Sequence, residues 1–102
     1  MIHANTIHAE VHNDMLRIAF NGRLDTATSM QIQNEVMSII ENTPHSLVFD
    51  LAKVDFVASA FLRLCILSAR KVGMERFLLT NVNPAVGRVF SIAGLDKHLK
   101  IT

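Results

Sequence analysis

The chain has 102 residues, of which 50% are hydrophobic and 19% charged, and its formal net charge is +1. This length predicts a single domain, residues 1–102, with enough apolar side chains to form a core without disulfides or metal. Lys and Arg number 10 against 9 Asp and Glu, which argues against a protein that binds nucleic-acid phosphates. The single cysteine, Cys65, is typical of a reducing compartment. No apolar stretch approaches the roughly 20 residues of a membrane-spanning helix, so we expect a cytoplasmic protein with no direct membrane insertion.

The N-terminal segment shows period-two alternation on both sides of a turn at Asn13-Asp14, which predicts a β-hairpin. Its apolar positions are Ile7, Ala9, Val11, Leu16, Ile18 and Phe20. The polar positions His8, Glu10 and His12 share one face of the first strand. These three side chains could together bind a metal ion, but a solvated outer face of an edge hairpin is the favoured interpretation.

Helical spacing follows the hairpin, and Thr28 with Gln31 forms a capping-box pattern, which predicts a helix over about 29–41 that stops at Pro44. The short apolar run 47–51 predicts a buried central strand.

The second half of the chain alternates helices and strands. A second amphipathic helix is expected over 59–72 with Gly73 as its C-terminal cap, followed by a strand over 76–82. Asn83 and Pro84 are suited to the cap and first turn of a third helix whose inner face carries Val86, Val89, Phe90 and Ala93. Residues 98–101 alternate as a last strand.

The predicted order is therefore ββαβαβαβ, an α/β fold with a mixed sheet that is parallel in its later part. Ligands and partners of such sheets usually meet the loops after the carboxyl ends of the strands. These loops are expected at 22–28, 52–60 and 81–85.

Patterns of known catalytic sites are absent from the sequence. The four glycines are scattered rather than clustered as in a phosphate-binding loop, and Cys65 falls on an apolar helix face where a buried thiol is expected. No nucleophile with a base and an orienting group can be assembled. We expect no enzyme activity, no cofactor and no metal site.

Three features favour a binding role. The segment 21–28 is either a simple turn with a helix cap or a binding loop, and the second interpretation arises because capping alone does not need Asp25, Thr26, Thr28 and the following Ser29 together. Ser59 begins a helix, where backbone N–H groups would accommodate a phosphate, although a simple N-cap role is favoured by spacing alone. Five apolar residues surround this second loop, namely Phe56, Val57, Ala58, Ala60 and Phe61. They form either part of the core or a protein-binding patch flanked by Asp25, Arg23 and Arg63.

At these residues the sequence resembles a STAS domain, the fold of bacterial anti-sigma factor antagonists and of related transporter regulatory domains. The resemblance covers about residues 7–101. It rests on Gly22-Arg23-Leu24-Asp25, on the strand and following segment at 48–57, and on the closing segment at 94–101. It implies a STAS-like mixed sheet with an N-terminal hairpin and three helices, or four where the usual C-terminal helix is present.

The main departure from the family lies in the second loop. Typical members read Asp-Ser-Ser-Gly-Leu there, and their second serine is phosphorylated by an anti-sigma factor that is also a serine kinase. Here the aligned acceptor is Ala60. In one interpretation Ser59 takes the phosphate instead; in another the domain binds constitutively; in a third, Ala60 is an introduced substitution that fixes the unphosphorylated form.

The resemblance implies a partner that is an anti-sigma factor or another serine-kinase or ATPase-fold protein, together with a phosphatase if Ser59 is a switch. The expected contact residues are Gly22, Arg23, Asp25, Thr26, Thr28, Ala58, Ser59, Ala60, Phe61 and Arg63. The alternatives are a regulatory subunit that binds the ATPase of a membrane transport complex and a nucleotide-sensing domain. Without the usual C-terminal helix, a homodimer is also conceivable.

Overall fold

The computed structural model describes residues 6–41 and 46–102. It opens with strands β1 (Ile7–His12) and β2 (Met15–Leu24), which pair in antiparallel fashion around a two-residue turn. Asn13 and Asp14 both have positive φ values, 48° and 68°, as a tight hairpin turn of type I′ requires. The predicted hairpin is confirmed.

The remaining elements alternate. They are α1 (Thr26–Glu41), β3 (Ser46–Val57), α2 (Ser59–Val72), β4 (Phe77–Thr80), α3 (Pro84–Ile92) and β5 (Lys100–Ile101), with short 3₁₀ turns at Met74–Arg76 and Leu95–Lys97. The predicted order ββαβαβαβ is confirmed. The expected stop of the first helix at Pro44 lies outside the described residues.

The five strands lie in chain order, β1-β2-β3-β4-β5, and every pair after the hairpin is parallel. The buried apolar residues of all three helices join one core with inward-facing residues of β2, β3 and β4. Residues of the opposite parity, such as Arg17, Asp50 and Thr80, are not in this core. The helices therefore cover one face of the sheet, as right-handed crossovers that all step in the same direction require.

Aromatic packing holds the centre of this covered face. Phe20 of β2 lies 4.8 Å from Phe49 of β3 and 5.1 Å from Phe61 of α2, measured between ring centroids. Phe77 of β4 lies 4.9 Å from Phe49. The three contacts are edge-to-face arrangements, which aromatic rings prefer.

Several predicted boundaries agree with the structure. Helix α2 spans the expected residues, and Gly73 follows it with φ 103°. The Asn83 side chain caps α3 by accepting a hydrogen bond from the Val86 N–H at 2.8 Å. The last two strands are shorter than predicted, and Ala93, expected on the inner face of α3, is exposed because the helix ends at Ile92.

Within the described ranges, the chain contains no helix whose length and apolar character would let it cross a membrane.

Candidate functional site

Two single-residue links connect strands to helices at one end of the sheet. Asp25 is the only residue between β2 and α1, and Ala58 the only one between β3 and α2. The longer loops predicted at 22–28 and 52–60 are therefore wrong. The strands continue in parallel register as far as Leu24 and Val57, and the Ala58 N–H donates to the Leu24 carbonyl at 2.9 Å. The two helix N-termini consequently begin side by side.

The approach to the first link is irregular. The pairing of β2 with β3 shifts twice, between Ala19 and Asn21 and again at Gly22, whose φ of +97° favours glycine. After the second shift Arg23 lies beside Phe56. The Arg23 guanidinium carbon lies 3.9 Å from the centroid of the Phe56 ring, a cation–π contact between two exposed side chains.

Asp25 caps helix α1. Its carboxylate accepts a hydrogen bond from the Thr28 N–H at 2.9 Å, and the Thr28 bonds hold the pKa of Asp25 below its usual value. The predicted capping box at Thr28 and Gln31 is wrong, because the helix begins three residues earlier than that pattern implies. Ser29 is instead buried in the first turn, where its hydroxyl lies 3.4 Å from the Leu24 carbonyl oxygen.

Helix α2 begins without a side-chain cap. Ala58 occupies the N-cap position with extended backbone, and Ser59 is the first helical residue, exposed to solvent. The interpretation of Ser59 as an N-cap is therefore wrong. As the first helical residue, Ser59 lies at the N–H end of the helix, where the helix dipole favours a negative group.

The apolar residues of the second link divide between core and surface. Phe61 is 0% exposed and Val57 is 4% exposed, both within the core, whereas Phe56 is 37% exposed. The expectation that Phe61 contacts a partner is contradicted, because its ring packs against Phe20 beneath the helix. The aromatic surface at this end belongs to Phe56.

The other expected contact residues remain accessible to different degrees. The exposed ones are Gly22, Arg23, Thr26, Ser59 and Arg63, and the half-buried ones are Asp25, Thr28, Ala58 and Ala60. The structure thus brings Arg23, Asp25 and Ala58 together through strand pairing, with Ser59 following directly. Residues 22–28 do not line the groove described next.

A groove of about 700 Å³ starts at Ser59 and runs between the helices. Its lining residues are Met30, Gln33, Ser59, Ala60, Leu62, Arg63, Ile66, Ala93 and Leu95. Met30 is 65% exposed, and the sequence-based site did not include it. Its position off the inner stripe formed by Ile32, Val36 and Ile40 is the signal that would have identified it as a surface residue.

The sheet face opposite the helices holds a polar network. The Asp50 carboxylate accepts hydrogen bonds from Arg17, from the Ala52 N–H at 3.0 Å and from the Asn81 side-chain amide at 2.9 Å. Burial raises the pKa of Asp50, but the hydrogen bonds from Asn81 and Ala52 and the charge of Arg17 outweigh it, so the pKa lies below its usual value. The network joins β2, β3 and the residue after β4.

Two other candidates follow the simpler interpretation. Cys65 is fully buried, and burial raises the pKa of its thiol well above the usual value, so it is not an activated nucleophile.

On β1, the Glu10 carboxylate lies 2.8 Å from the His12 ring and 3.0 Å from the His8 ring, and all three side chains are exposed. The hydrogen bond with His12, and after it the one with His8, lowers the pKa of Glu10. Among the described residues, no group of three His, Cys, Asp or Glu could hold a metal ion.

Comparison with known proteins decides the family. The STAS domain matches residues 6–102. The chain belongs to the STAS domain family. Its resemblance at residues 7–101 is thereby confirmed, and so is the fold class.

The individual relatives share only about a quarter of their residues with this chain. The chain is 24% identical over 97 residues to the anti-sigma-F factor antagonist RsfB of Mycobacterium tuberculosis, covering 94% of this chain and 80% of that protein. It is 28% identical over 82 residues to the putative anti-sigma factor antagonist BtrV of Bordetella bronchiseptica, covering 78% and 71%. A solved anti-sigma factor antagonist from Mycobacterium paratuberculosis is 27% identical, with a TM-score of 0.84 over 94% of this chain and 83% of that one.

Proposed function

We propose that this STAS domain is an anti-sigma factor antagonist that binds an anti-sigma factor of the ATPase-fold, serine-kinase type and frees the sigma factor that this partner restrains. The proposal rests on the relatives named as antagonists and carries over the partner implied by the family resemblance. Residues 1–102 would act as one domain, and the role requires no catalysis by this chain.

The observation that carries the proposal is the pairing of the two links. The Ala58 N–H bond to Leu24 fixes the N-termini of α1 and α2 next to each other, with Arg23, Thr26 and Ser59 exposed around them. This end combines hydrogen-bonded backbone, an exposed aromatic ring at Phe56 and the Arg23 guanidinium. Such a mixture of an aromatic anchor, an arginine and polar backbone ends is typical of protein-binding surfaces.

The contact surface that we propose consists of the link end and the adjoining groove. The link end comprises Arg23, Asp25, Thr26, Phe56 and Ser59, and the groove adds Met30, Ala60 and Arg63. Phe61 supports this surface from below rather than contacting the partner.

The surface is tested by matched charge reversals on one helix. Arg63 lies in the groove, whereas Arg70 lies two turns further along α2 and outside the groove, so Arg63→Glu and Arg70→Glu form a matched pair. We expect Arg63→Glu to weaken binding of the cognate anti-sigma factor at least tenfold, measured by titration calorimetry, and Arg70→Glu to leave it within twofold. Equal affinities of the two variants would place the interface elsewhere.

Ser59 is the proposed phosphorylation site. It is exposed and makes no cap bond, and a phosphate there would carry about −1.5 to −2 charges into the contact surface. Because a negative group at this helix end stabilises the fold, Ser59→Asp separates an effect on binding from an effect on stability. We expect Ser59→Asp to bind at least tenfold more weakly than Ser59→Ala while unfolding at the same temperature or higher.

Incubation of the protein with the partner and ATP tests the switch directly. We expect intact-mass analysis to show one phosphate on the wild-type chain and none on Ser59→Ala. Ala60→Ser, which restores the usual family acceptor, provides the positive control for kinase activity. If only Ala60→Ser is phosphorylated, the wild-type domain binds its partner without this switch.

A further inference from the structure

Among the strands of the described residues, β1 forms the long free edge of the sheet. The opposite edge, β5, has only two residues, whereas β1 has six, and each residue from His8 to His12 is exposed. Val11 is 63% exposed, one of the most exposed large apolar side chains among the described residues. Long edges with apolar side chains readily pair with another strand unless they carry protection.

The hydrogen-bond pattern shows which backbone groups face outward. The Asn21 N–H donates to the Thr6 carbonyl at 2.8 Å, so Thr6 and Asn21 form a hydrogen-bonded pair. Bonded and non-bonded pairs alternate along an antiparallel ladder, which places His8, Glu10 and His12 in bonded pairs with β2. The N–H and C=O groups of Ile7, Ala9 and Val11 therefore point to the free edge.

The side chains of β1 are self-complementary. We propose that two copies of this chain associate through their β1 edges, in an antiparallel pairing with its two-fold axis at Ala9, which joins the two five-stranded sheets into one. This assembly goes beyond the proposed antagonist function and does not depend on it.

The pairing of an imidazole with a carboxylate selects this register from its neighbours. An axis at His8 would place the two copies of His8 opposite each other, and an axis at Glu10 would do the same for two carboxylates. With the axis at Ala9, each His8 lies opposite the partner's Glu10 in a non-bonded pair, where side chains approach most closely. Glu10 already faces Arg17 within its own chain, and His8 and His12 contact it along the strand.

The extent of the paired segment distinguishes the proposed register from the one other register that places Glu10 opposite a histidine. An axis at Val11 would pair Glu10 with the partner's His12, but it would extend the ladder to Asn13 in the turn. The axis at Ala9 uses Ile7 to Val11 of both copies. It also places Ile7 opposite the partner's Val11 on the other side of the sheet, which covers the exposed valine.

Analytical ultracentrifugation over a concentration series tests the assembly. We expect the wild-type chain to reach the mass of a dimer, and a monomer at every concentration would overturn the proposal. Ala9→Pro removes the outward N–H while leaving the bonds to β2 intact, so we expect the dimer dissociation constant to rise at least about tenfold. Ala9→Thr keeps that N–H and should retain the dimer; equal dissociation constants for the two variants would overturn the proposed edge.

A charge exchange tests the register. His8→Glu places a second carboxylate opposite the partner's Glu10, and Glu10→Lys replaces the carboxylate that accepts from the partner's His8 with an ammonium group that cannot accept a hydrogen bond. Each variant alone should therefore lose the dimer while keeping its circular dichroism spectrum. In a mixture of the two variants, the introduced carboxylate lies opposite the introduced ammonium group, while the remaining Glu10 lies opposite the remaining His8, and we expect a heterodimer. A His8→Glu variant that dimerises as well as wild type, or a mixture that stays monomeric, would overturn the register.

Discussion

The Arg23 guanidinium lies over the Phe56 ring, 3.9 Å from its centroid, across two neighbouring parallel strands. The contact orients both side chains immediately before the links that start α1 and α2. It therefore sets the shape of the proposed partner surface without contributing to the core.

The first prediction concerns the energy of this pair. In a double-mutant cycle with Arg23→Ala and Phe56→Ala, we expect a coupling free energy of about 0.5–1 kcal/mol from urea denaturation, because both groups are exposed. A cycle that combines Phe56→Ala with Arg70→Ala, at the far end of α2, provides the control and should be additive. Equal coupling in the two cycles would show that the cation–π contact contributes nothing.

The cap of helix α1 gives a second prediction. Asp25→Ala removes the acceptor of the Thr28 N–H and should lower the free energy of unfolding by about 1 kcal/mol. Asp25→Asn retains an oxygen that can cap and should lose much less. Ser59→Ala, at the start of the helix whose cap is Ala58, should change stability by less than about 0.5 kcal/mol. A loss at Ser59 equal to that at Asp25→Ala would contradict this assignment of the caps.

These two helix starts show where sequence reasoning succeeds and where it fails. Asp25, Thr26, Thr28 and Ser29 are all common capping residues, so local pattern alone does not fix which one caps. The start of α1 is decided by tertiary pairing, because β2 stays paired with β3 until Leu24. At Asn83 no competing capping residue is adjacent, and Pro84 fixes the first turn, so the predicted cap of α3 is confirmed.

Strand β3 is longer than the apolar run 47–51 predicts, for a related reason. After the continuous apolar run, Ala52, Lys53, Asp55 and Phe56 are exposed, which reads as a loop in the sequence. The strand continues because β2 pairs with Lys53 and Phe56, while Ala52 and Asp55 fall at the two register shifts. The same geometry turns Val57 inward and Phe56 outward, a distinction that apolar character alone does not provide.

A third prediction distinguishes a buried side chain of α2 from an exposed side chain of α3. Phe61→Ala should lower the free energy of unfolding by about 3–5 kcal/mol, because the fully buried ring contacts Phe20. Ile92→Ala, a truncation at a side chain that is 79% exposed, should cost less than about 0.5 kcal/mol. Thermal or urea denaturation measures both, and similar losses would contradict the assignment of Phe61 to the core.

The fourth prediction follows from the lowered pKa of Asp50. A carboxyl whose pKa is lower in the folded than in the unfolded state adds stability above the unfolded value of about 3.9, and this contribution is lost as pH falls through the folded pKa. We expect Asp50→Ala to cost about 2–3 kcal/mol at neutral pH, because it leaves Arg17, Asn81 and Ala52 without their acceptor.

The pH dependence distinguishes charge from shape at this position. Asp50→Asn is nearly isosteric, and its difference in unfolding free energy from wild type should be largest near neutral pH and shrink below about pH 4. A difference that stays constant from pH 7 to pH 3 would show that the ionised form of Asp50 does not stabilise the fold.

The chain-order arrangement of the strands has a consequence for assembly of the fold. Each strand pairs with the one that precedes it in the chain, so no strand has to enter between two that are already joined. The sheet is able to grow from the hairpin in the direction of synthesis, and every crossover closes a loop of only one helix, which keeps the entropy cost of each step small. The two-residue β5 is the final addition, and its amides should exchange with solvent hydrogen earliest among the strands.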